Sequence, residues 1–308
     1  MNYLAIDVGG TFIKYAVLRE DGTLLQKAKT PTAADTLSAF LDALAGIWQS
    51  ACRACPLAGI ALSMPGMIDS GRGFLYTGGS LRCVTDLNIV EVLRARCGVP
   101  VSVENDAKCA ALAELWLGSL ANVRNAVVLV CGTGVGGAVI LDRKVLAGKH
   151  FMAGEFSYML TDGDAPYAME NCLAEKAGIQ ALLREVGAET GLDAGTLDGE
   201  QVFRLANGQD PAAMAGLRRF VRRLAVQIHN CQYMFDPECF AIGGGISEQP
   251  LFLQMIREEL QKINGIFPWT LPVPQIVPCH FYNDANLVGA VYVHLQQYGC
   301  AAGRQSCG

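Results

Sequence analysis

The chain has 308 residues, enough for two domains, and 51% of them are apolar against 17% charged, so a large buried core is supplied and disorder is not expected. A formal net charge of −5, with no dense Lys/Arg cluster, argues against nucleic acid as a partner. The apolar runs are short and broken by Gly, Thr or charges, so no membrane span is expected; Asp7 stands where a signal peptide would need its apolar centre, and the expected location is the cytoplasm.

The 12 cysteines read as reduced thiols in such a chain rather than as a disulfide framework. Cys109, Cys131 and Cys231 lie in apolar surroundings, where Cys packs as a small hydrophobe. Cys52 and Cys55 form a single C-x-x-C with no second pair and no nearby His, which argues against zinc there.

The chain opens with strand YLAIDV, glycine turn GGT, strand FIKYAVL, polar turn REDG and strand TLLQKAK. Residues 35–51 have the apolar spacing of an amphipathic helix, LAGIALSMPG is a strand ending in a Pro-Gly turn, and DLNIVEVLRARCG is a helix. A strand over 99–103 and a helix over 107–117 follow, with Glu104, Asn105 and Asp106 between them. An Asp or Asn at that junction has a ready role as helix N-cap, so Asp106 either only caps the helix or does chemistry at the carboxyl end of the strand.

Residues 126–149 repeat the opening order: strand AVVLVC, glycine turn GTGVGG, strand AVIL, polar turn DRK. Two segments of one architecture in one chain indicate an internal duplication. A polar loop over 161–167 leads into helical segments, a long helix over 212–234, strand CFAIGGGI and a helix over 250–263. A last helix over 286–298 is expected to pack back on the first domain. Strands alternating with helices give α/β layers. The expected domains are 1–118, joined by the C-terminal helix of about 286–300, and 119–285.

GTGVGG fits G-x-G-x-x-G through Gly132, Gly134 and Gly137, but a dinucleotide site needs a helix after the glycines, and AVILDRK reads as a strand. A tight hairpin that needs glycine for positive φ accounts for two of the glycines. It does not account for four, Gly136 included, together with Thr133; successive backbone N–H groups in such a turn form an anion-binding concavity. Gly9, Gly10 and Thr11 of DVGGT supply a second such turn beside Asp7. Two of these turns facing each other across a cleft would grip a triphosphate. Asp7 sits in an otherwise apolar strand and requires a partner, either the donors of a hydrogen-bonded turn or an ATP-bound Mg²⁺. Lys14 on the next strand points at phosphate or at solvent. Gly243, Gly244 and Gly245, after strand CFAI, let the backbone approach a flat ligand such as adenine.

DVGGT, END, GTGVGG, AGEFSYM and FAIGGGIS run in this order across nearly the whole chain. Together they resemble the ROK family of sugar kinases and related repressors, within the actin/hexokinase superfamily. The resemblance implies two actin-like (ribonuclease H-like) α/β domains with an ATP/sugar cleft between them. It implies ATP with Mg²⁺ at Asp7, a small sugar as partner, Asp106 as catalytic base, and Asn105 and Glu155 on sugar hydroxyls. Gly66 of PGMID lines the sugar side, and a homodimer is compatible with the reading. Asp106 would then both cap its helix and accept a hydroxyl proton at the end of a strand.

The departures narrow the resemblance. Tyr158 stands where many members carry a His, and TDGDAPYAMENCLAEKAG keeps only Cys172 of a C-x-C-G-x-x-G-C-x-E zinc motif, so no structural zinc is expected. Ala174 aligns with a sugar-binding Glu, and neither Glu170 nor Glu175 is a clean replacement. GEFSYMLTD, the ENC stretch and YTGGSLRCV, which holds Gly79, resemble a zinc-lacking branch that includes bacterial β-glucoside kinases, which phosphorylate β-linked disaccharides at the 6-hydroxyl. Glucokinase and N-acetylmannosamine kinase are the alternatives among enzymes. A ROK repressor is disfavoured by the six residues ahead of Asp7 and the negative charge, and a sugar-binding protein without catalysis by the intact Asp7, Asp106 and glycine turns.

Overall fold

A computed structural model describes residues 1–299. They form two units: Met1–Ala121 with Ala147–Met152 and the stretch from Asn283 onward, and Asn122–Leu146 with Ala153–Tyr282.

In the first unit, β1 (Asn2–Val8), β2 (Phe12–Arg19) and β3 (Leu24–Pro31) form an antiparallel meander. Helix α1 (Leu37–Ala54) is capped by Thr36, whose hydroxyl accepts the Ala39 N–H at 3.2 Å, and buries Phe40, Leu41, Leu44, Ile47 and Trp48. That apolar stripe covers the face of the sheet carrying Leu4, Ile6, Val8 and Ile13. Strand β4 (Ile60–Met64) pairs parallel with β1. Three short strands, β5 (Ile68–Asp69), β6 (Phe74–Thr77) and β7 (Thr85–Asn88), make a separate antiparallel sheet ahead of α2 (Ile89–Cys97). The sequence pattern gives residues 86–98 wholly to helix; the first of them pair as β7, and Asn88 caps the helix through the Glu91 N–H. Strand β8 (Val101–Asn105) and helix α3 (Asp106–Leu117) complete the run, and the sheet order is β3-β2-β1-β4-β8.

The second unit repeats this plan. Strands β9 (Ala126–Cys131), β10 (Val135–Leu141) and β11 (Lys144–Val145) form its meander. Helices α4 (Leu173–Ala177), α5 (Ile179–Thr190), α6 (Gly199–Asn207) and α7 (Pro211–Phe235) follow. Then come β12 (Cys239–Gly243), α8 (Pro250–Asn264) and β13 (Ile276–Pro278), giving the order β11-β10-β9-β12-β13. In both sheets two antiparallel pairs precede two parallel ones. The duplication read from the two glycine-turn meanders is therefore a duplication of whole-sheet topology. Helix α7 starts as its sequence dictates, with Asp210 as cap, accepting the Ala213 N–H at 2.8 Å, and Pro at its first position.

Helix α9 (Ala285–Tyr298) belongs to the first unit, on the face of the sheet opposite α1. There Ser102 Oγ lies 2.9 Å from His294 Nδ1, and burial holds that imidazole down at a pKa of about 4, so it is a neutral core residue at physiological pH. Helices α3 and α9 meet backbone to backbone at Gly289, where a Cβ would stand 1.8 Å from the Cys109 carbonyl oxygen. The stretch Ala147–Met152 is held in the same unit by Lys108, whose Nζ donates to the Phe151 carbonyl at 2.7 Å, and by Tyr76, whose ring stacks on Phe151 at 5.8 Å. Among the described residues no helix is long and apolar enough to cross a membrane.

Alanine normally favours a helix over glycine by about 1 kcal/mol. At Gly289 the clash reverses the sign: Gly289→Ala is expected to destabilise on the order of 3 kcal/mol and to lower the thermal midpoint by roughly 5–10 °C. An unchanged or higher midpoint in differential scanning calorimetry would show that α3 and α9 separate without cost.

Candidate active site

In the first unit the candidate residues gather at the carboxyl ends of β1, β4 and β8. Asp7, 6% exposed, has two neutral donors on Oδ1: Ser63 Oγ of β4 at 2.9 Å and Asn286 Nδ2 of α9 at 2.9 Å. Among the described residues no cation pairs with it. The partner that a buried carboxylate requires is thus a pair of hydrogen bonds, and no described residue donates to its Oδ2.

The turn after Asp7 is built from Gly9, Gly10 and Thr11. The Gly9 N–H is taken by the Phe12 carbonyl at 3.0 Å, and Thr32 ties the turn to β3 by donating its hydroxyl to the Gly9 carbonyl at 2.7 Å. The N–H groups of Gly10 and Thr11 have no acceptor among the described residues. A Cβ on Gly10 would stand 3.1 Å from Ser80 Oγ, so this turn lies against the TGGS turn. That second turn in turn packs on PGM: Gly66 has φ +106° and no room, a Cβ there reaching 2.1 Å from the Thr77 carbonyl and 2.7 Å from the Gly79 nitrogen. Gly79 has φ +60°. Both positions need glycine for conformation as well as space.

Asn105 connects this turn to α3. Its Oδ1 accepts the Lys108 N–H at 3.1 Å, and its Nδ2 donates to the Gly66 carbonyl at 3.1 Å. The cap of α3 is therefore Asn105, and the expectation that Asp106 caps is corrected: Asp106 is the first helical residue, and its Oδ1 accepts the adjacent Ala107 N–H at 2.8 Å. Two polar residues compete for one junction, and Asn105, in extended geometry, has the reach to the third amide, whereas Asp106 accepts only the amide next to it. Burial pushes the Asp106 carboxyl up to a pKa of about 6; the nearby Asp7 charge adds to this, and the Ala107 N–H opposes it. Glu104, on the other side of Asn105, is also raised by burial; its Oε1 takes the Asn105 N–H at 2.7 Å.

In the second unit the glycine run divides. Gly132, Thr133 and Gly134 form the turn, closed by the Gly132 N–H on the Gly134 carbonyl at 2.9 Å. Gly136 and Gly137 lie inside β10, opposite Val130 and Leu129. None of these glycines, nor Gly9 or Gly10, has positive φ, so the tight-hairpin account of two glycines in GTGVGG does not hold. At Gly137 the reason is steric. A Cβ on Gly137 would fall 2.3 Å from the Val128 carbonyl and 2.5 Å from the Phe156 ring, whereas Gly132 faces open space. Thr133 and Gly134 have N–H groups with no acceptor among the described residues. Ala174 is the neighbour of Gly134, its Cβ 3.5 Å from where a Cβ would be. A strand follows the turn, which excludes the dinucleotide reading.

Gly154, at φ +82°, lets the next loop lie on β10, a Cβ there being 2.9 Å from Ala138 Cα. Glu155 then precedes a single 3-10 turn, and Tyr158 at its end is 68% exposed. Gly244 combines φ +87° with a Cβ position 2.0 Å from the Cys131 carbonyl, so its close approach is to the end of β9; Gly245 faces open space. Cys52 is exposed at the last turn of α1 and Cys55 is its C-cap residue.

The ROK family profile matches residues 3–297. The chain belongs to the ROK family. It is 36% identical over 304 residues to a β-glucoside kinase of Klebsiella pneumoniae, with 97% of each chain covered, and 31% identical to a β-glucoside kinase of Listeria innocua, with 96% of this chain and 98% of that one covered. Among solved structures, a ROK family protein of Streptococcus pneumoniae in complex with sucrose superposes with a TM-score of 0.85 at 30% identity, over 97% of this chain and 100% of that one. The two units of one sheet order are the two actin-like domains of this family.

Sequence reasoning missed Ser63, Asn286 and Ser80. Ser63 carries the one available signal: it is the polar residue within the apolar strand of LSMPG, level with Asp7 in the β1–β4 register. Asn286, far along the chain, carries none.

The Asp106 pKa makes a stability prediction. Below about pH 4 the carboxyl is protonated folded and unfolded, and burial has no charge to oppose. Between about pH 4 and 6 the unfolded chain gives up the proton while the folded one keeps it, so stability falls as pH rises, and the loss is complete above the folded value of about 6. Asp106→Asn should thus gain stability relative to the parent progressively from pH 4 to 6 and by a constant amount above. Urea unfolding at several pH values checks this, and a pH-independent difference would contradict the buried carboxyl.

Proposed function

We propose that this carbohydrate kinase transfers the γ-phosphoryl group of ATP to the 6-hydroxyl of a β-linked glucoside, with Asp106 as the general base. The observation that carries the reading is the Asp106 carboxyl at the first position of α3, with a pKa of about 6. Such a group is ionised at neutral pH yet basic enough to take a proton from a hydroxyl as it attacks. The acceptor oxygen bonds to the γ-phosphorus as the bond to the bridging oxygen of ADP breaks, and the hydroxyl proton passes to Asp106. Asn105 is the positioning residue: it caps α3, fixes Gly66 and hydrogen-bonds the Asp106 carboxyl, so its amide is held beside the base, where it is assigned to a sugar hydroxyl.

The phosphates fall to the two turns with unused amides, Gly10–Thr11 and Thr133–Gly134. Mg²⁺ neutralises phosphate charge when bound with ATP; Asp7 suits it because Oδ2 is left without a donor while Oδ1 is locked by Ser63 and Asn286. The open face at Gly245 suits the adenine. Glu155 and Tyr158 are assigned to the sugar. Support for a β-glucoside comes from the likeness to the two β-glucoside kinases, and from the exposed Tyr158, which offers a ring surface to a second sugar.

Asp106→Asn should lower kcat on the order of 10²–10⁴-fold while sugar affinity by calorimetry stays within about tenfold. The parent enzyme should lose kcat/KM as pH falls through about 6, and near-parental turnover in the variant would remove Asp106 as base. The acceptor is tested separately. Cellobiose or gentiobiose should exceed glucose and N-acetylmannosamine in kcat/KM, and a tenfold preference for either monosaccharide would overturn the β-glucoside assignment without touching the kinase.

A further inference from the structure

One buried cation of the first unit is not used by the phosphoryl-transfer reading. Lys108 is the third residue of α3 and is 2% exposed. Its backbone N–H serves the helix cap on Asn105 Oδ1, and its side chain goes elsewhere. The ammonium donates to the Phe151 carbonyl at 2.7 Å, and among the described residues no carboxylate forms an ion pair with it. Burying an ammonium on one neutral partner is unfavourable, and an apolar side chain of the same length would fill the place more easily. What separates Lys108 from such a filler is its hold on Phe151.

Phe151 is itself unusual. Its φ of +60° is in the left-handed region, which a bulky residue adopts only where the surroundings hold it. Two contacts do so: the Lys108 ammonium on its carbonyl, and the Tyr76 ring stacked on its ring at 5.8 Å with 19° between the planes. Residues 146–150 ahead of it are exposed, so Phe151 is the anchored end of the strap Ala147–Met152. The chain enters this strap from Leu146 and leaves it to Ala153, both residues of the second unit. Gly154 is fixed in turn on β10, where a Cβ would stand 2.9 Å from Ala138 Cα. Only Met152 and Ala153 separate these two anchored residues, and Glu155 follows directly. Four residues from Phe151 to Glu155 reach at most about 14 Å even when fully extended.

We infer that Lys108 is a positioning residue for the sugar. Through the Phe151 carbonyl it ties the first turn of α3, which carries Asn105 and Asp106, to the short segment that carries Glu155. The groups assigned to the sugar hydroxyls are thereby kept at a limited reach from the base. The assignment rests on the kinase reading above, in which Asp106 is the base and Glu155 meets the sugar.

Three variants of the full chain test this. Lys108→Met removes the ammonium and keeps the apolar stem, Lys108→Gln keeps an N–H donor, and Tyr76→Leu loosens the strap without touching α3. Trypsin should cut after the exposed Lys149, inside the strap, about tenfold faster in Lys108→Met and Tyr76→Leu, with cutting after Arg143 and Lys144, outside it, unchanged. In the same two variants the KM for the best substrate among glucose, N-acetylmannosamine, cellobiose and gentiobiose should rise about tenfold. Their kcat and KM for ATP should stay within about threefold, because a contact made equally in ground and transition states alters KM alone. Lys108→Gln should fall between the parent and Lys108→Met in both readouts, and it carries them with Tyr76→Leu where Lys108→Met does not fold. A lower kcat with parental KM values is the mark of a merely structural Lys108 and overturns the inference. Unchanged cutting at Lys149 in Lys108→Met overturns it too, as does a parental sugar KM once the strap is released. Failure of the kinase reading shows instead in the parent, as no turnover of any of the four sugars, and removes the inference with it.

Discussion

A single buried carboxylate organises the first unit. Asp7 is the next-to-last residue of β1, and its Oδ1 draws in Ser63 from β4 and Asn286 from α9, so three elements from distant parts of the chain meet there. Without those donors the oxygen would be left unsatisfied in an apolar sheet, at a cost of a few kcal/mol. With them, the ends of two parallel strands and the start of a helix are fixed within hydrogen-bond distance. The charge left on Asp7 then acts on Asp106 and helps hold its proton to higher pH. Structure and reactivity are linked through one group.

Close backbone approach is the second constraint. Gly66 lies against Thr77 and Gly79, Gly137 against Val128 and Phe156, Gly244 against Cys131, and Gly289 against Cys109. In each case a methyl group would enter another residue's space. The glycines that face open space, Gly132 and Gly245, do different work, because they keep the surface clear. One sequence run, GTGVGG, holds both kinds, and the boundary between them is the first residue of β10.

That division explains what the sequence makes legible. The two meanders, the long α7 and the strand–helix unit at Asn105–Asp106 follow from periodicity and turn residues, which are local. The sheet of β5, β6 and β7 does not, because strands of two to four residues are too short to establish alternation, and the pairing of Thr85–Asn88 is decided by Phe74 and its neighbours across the turn. Glycine spacing points to close approach but does not say whether φ or crowding demands it, since that depends on residues elsewhere in the chain. The choice between Asn105 and Asp106 as cap has the same character: both fit the rule, and the carbonyl of Gly66 settles which side chain turns inward.

Helix α9 supplies Asn286 to Asp7 and Gly289 to the α3 contact, yet it follows the whole of the second unit in the chain. A chain emerging from the ribosome therefore makes β1 early and completes its surroundings late. Residues 153–282 of the second unit are continuous and meet their own partners β9 and β10 already made, so that unit closes first. Until α9 arrives, the face of the first sheet that it covers stays open to water and Asp7 lacks one of its two donors. The order of synthesis and the order of completion are thus opposed, and the first strand translated is among the last to reach its final surroundings.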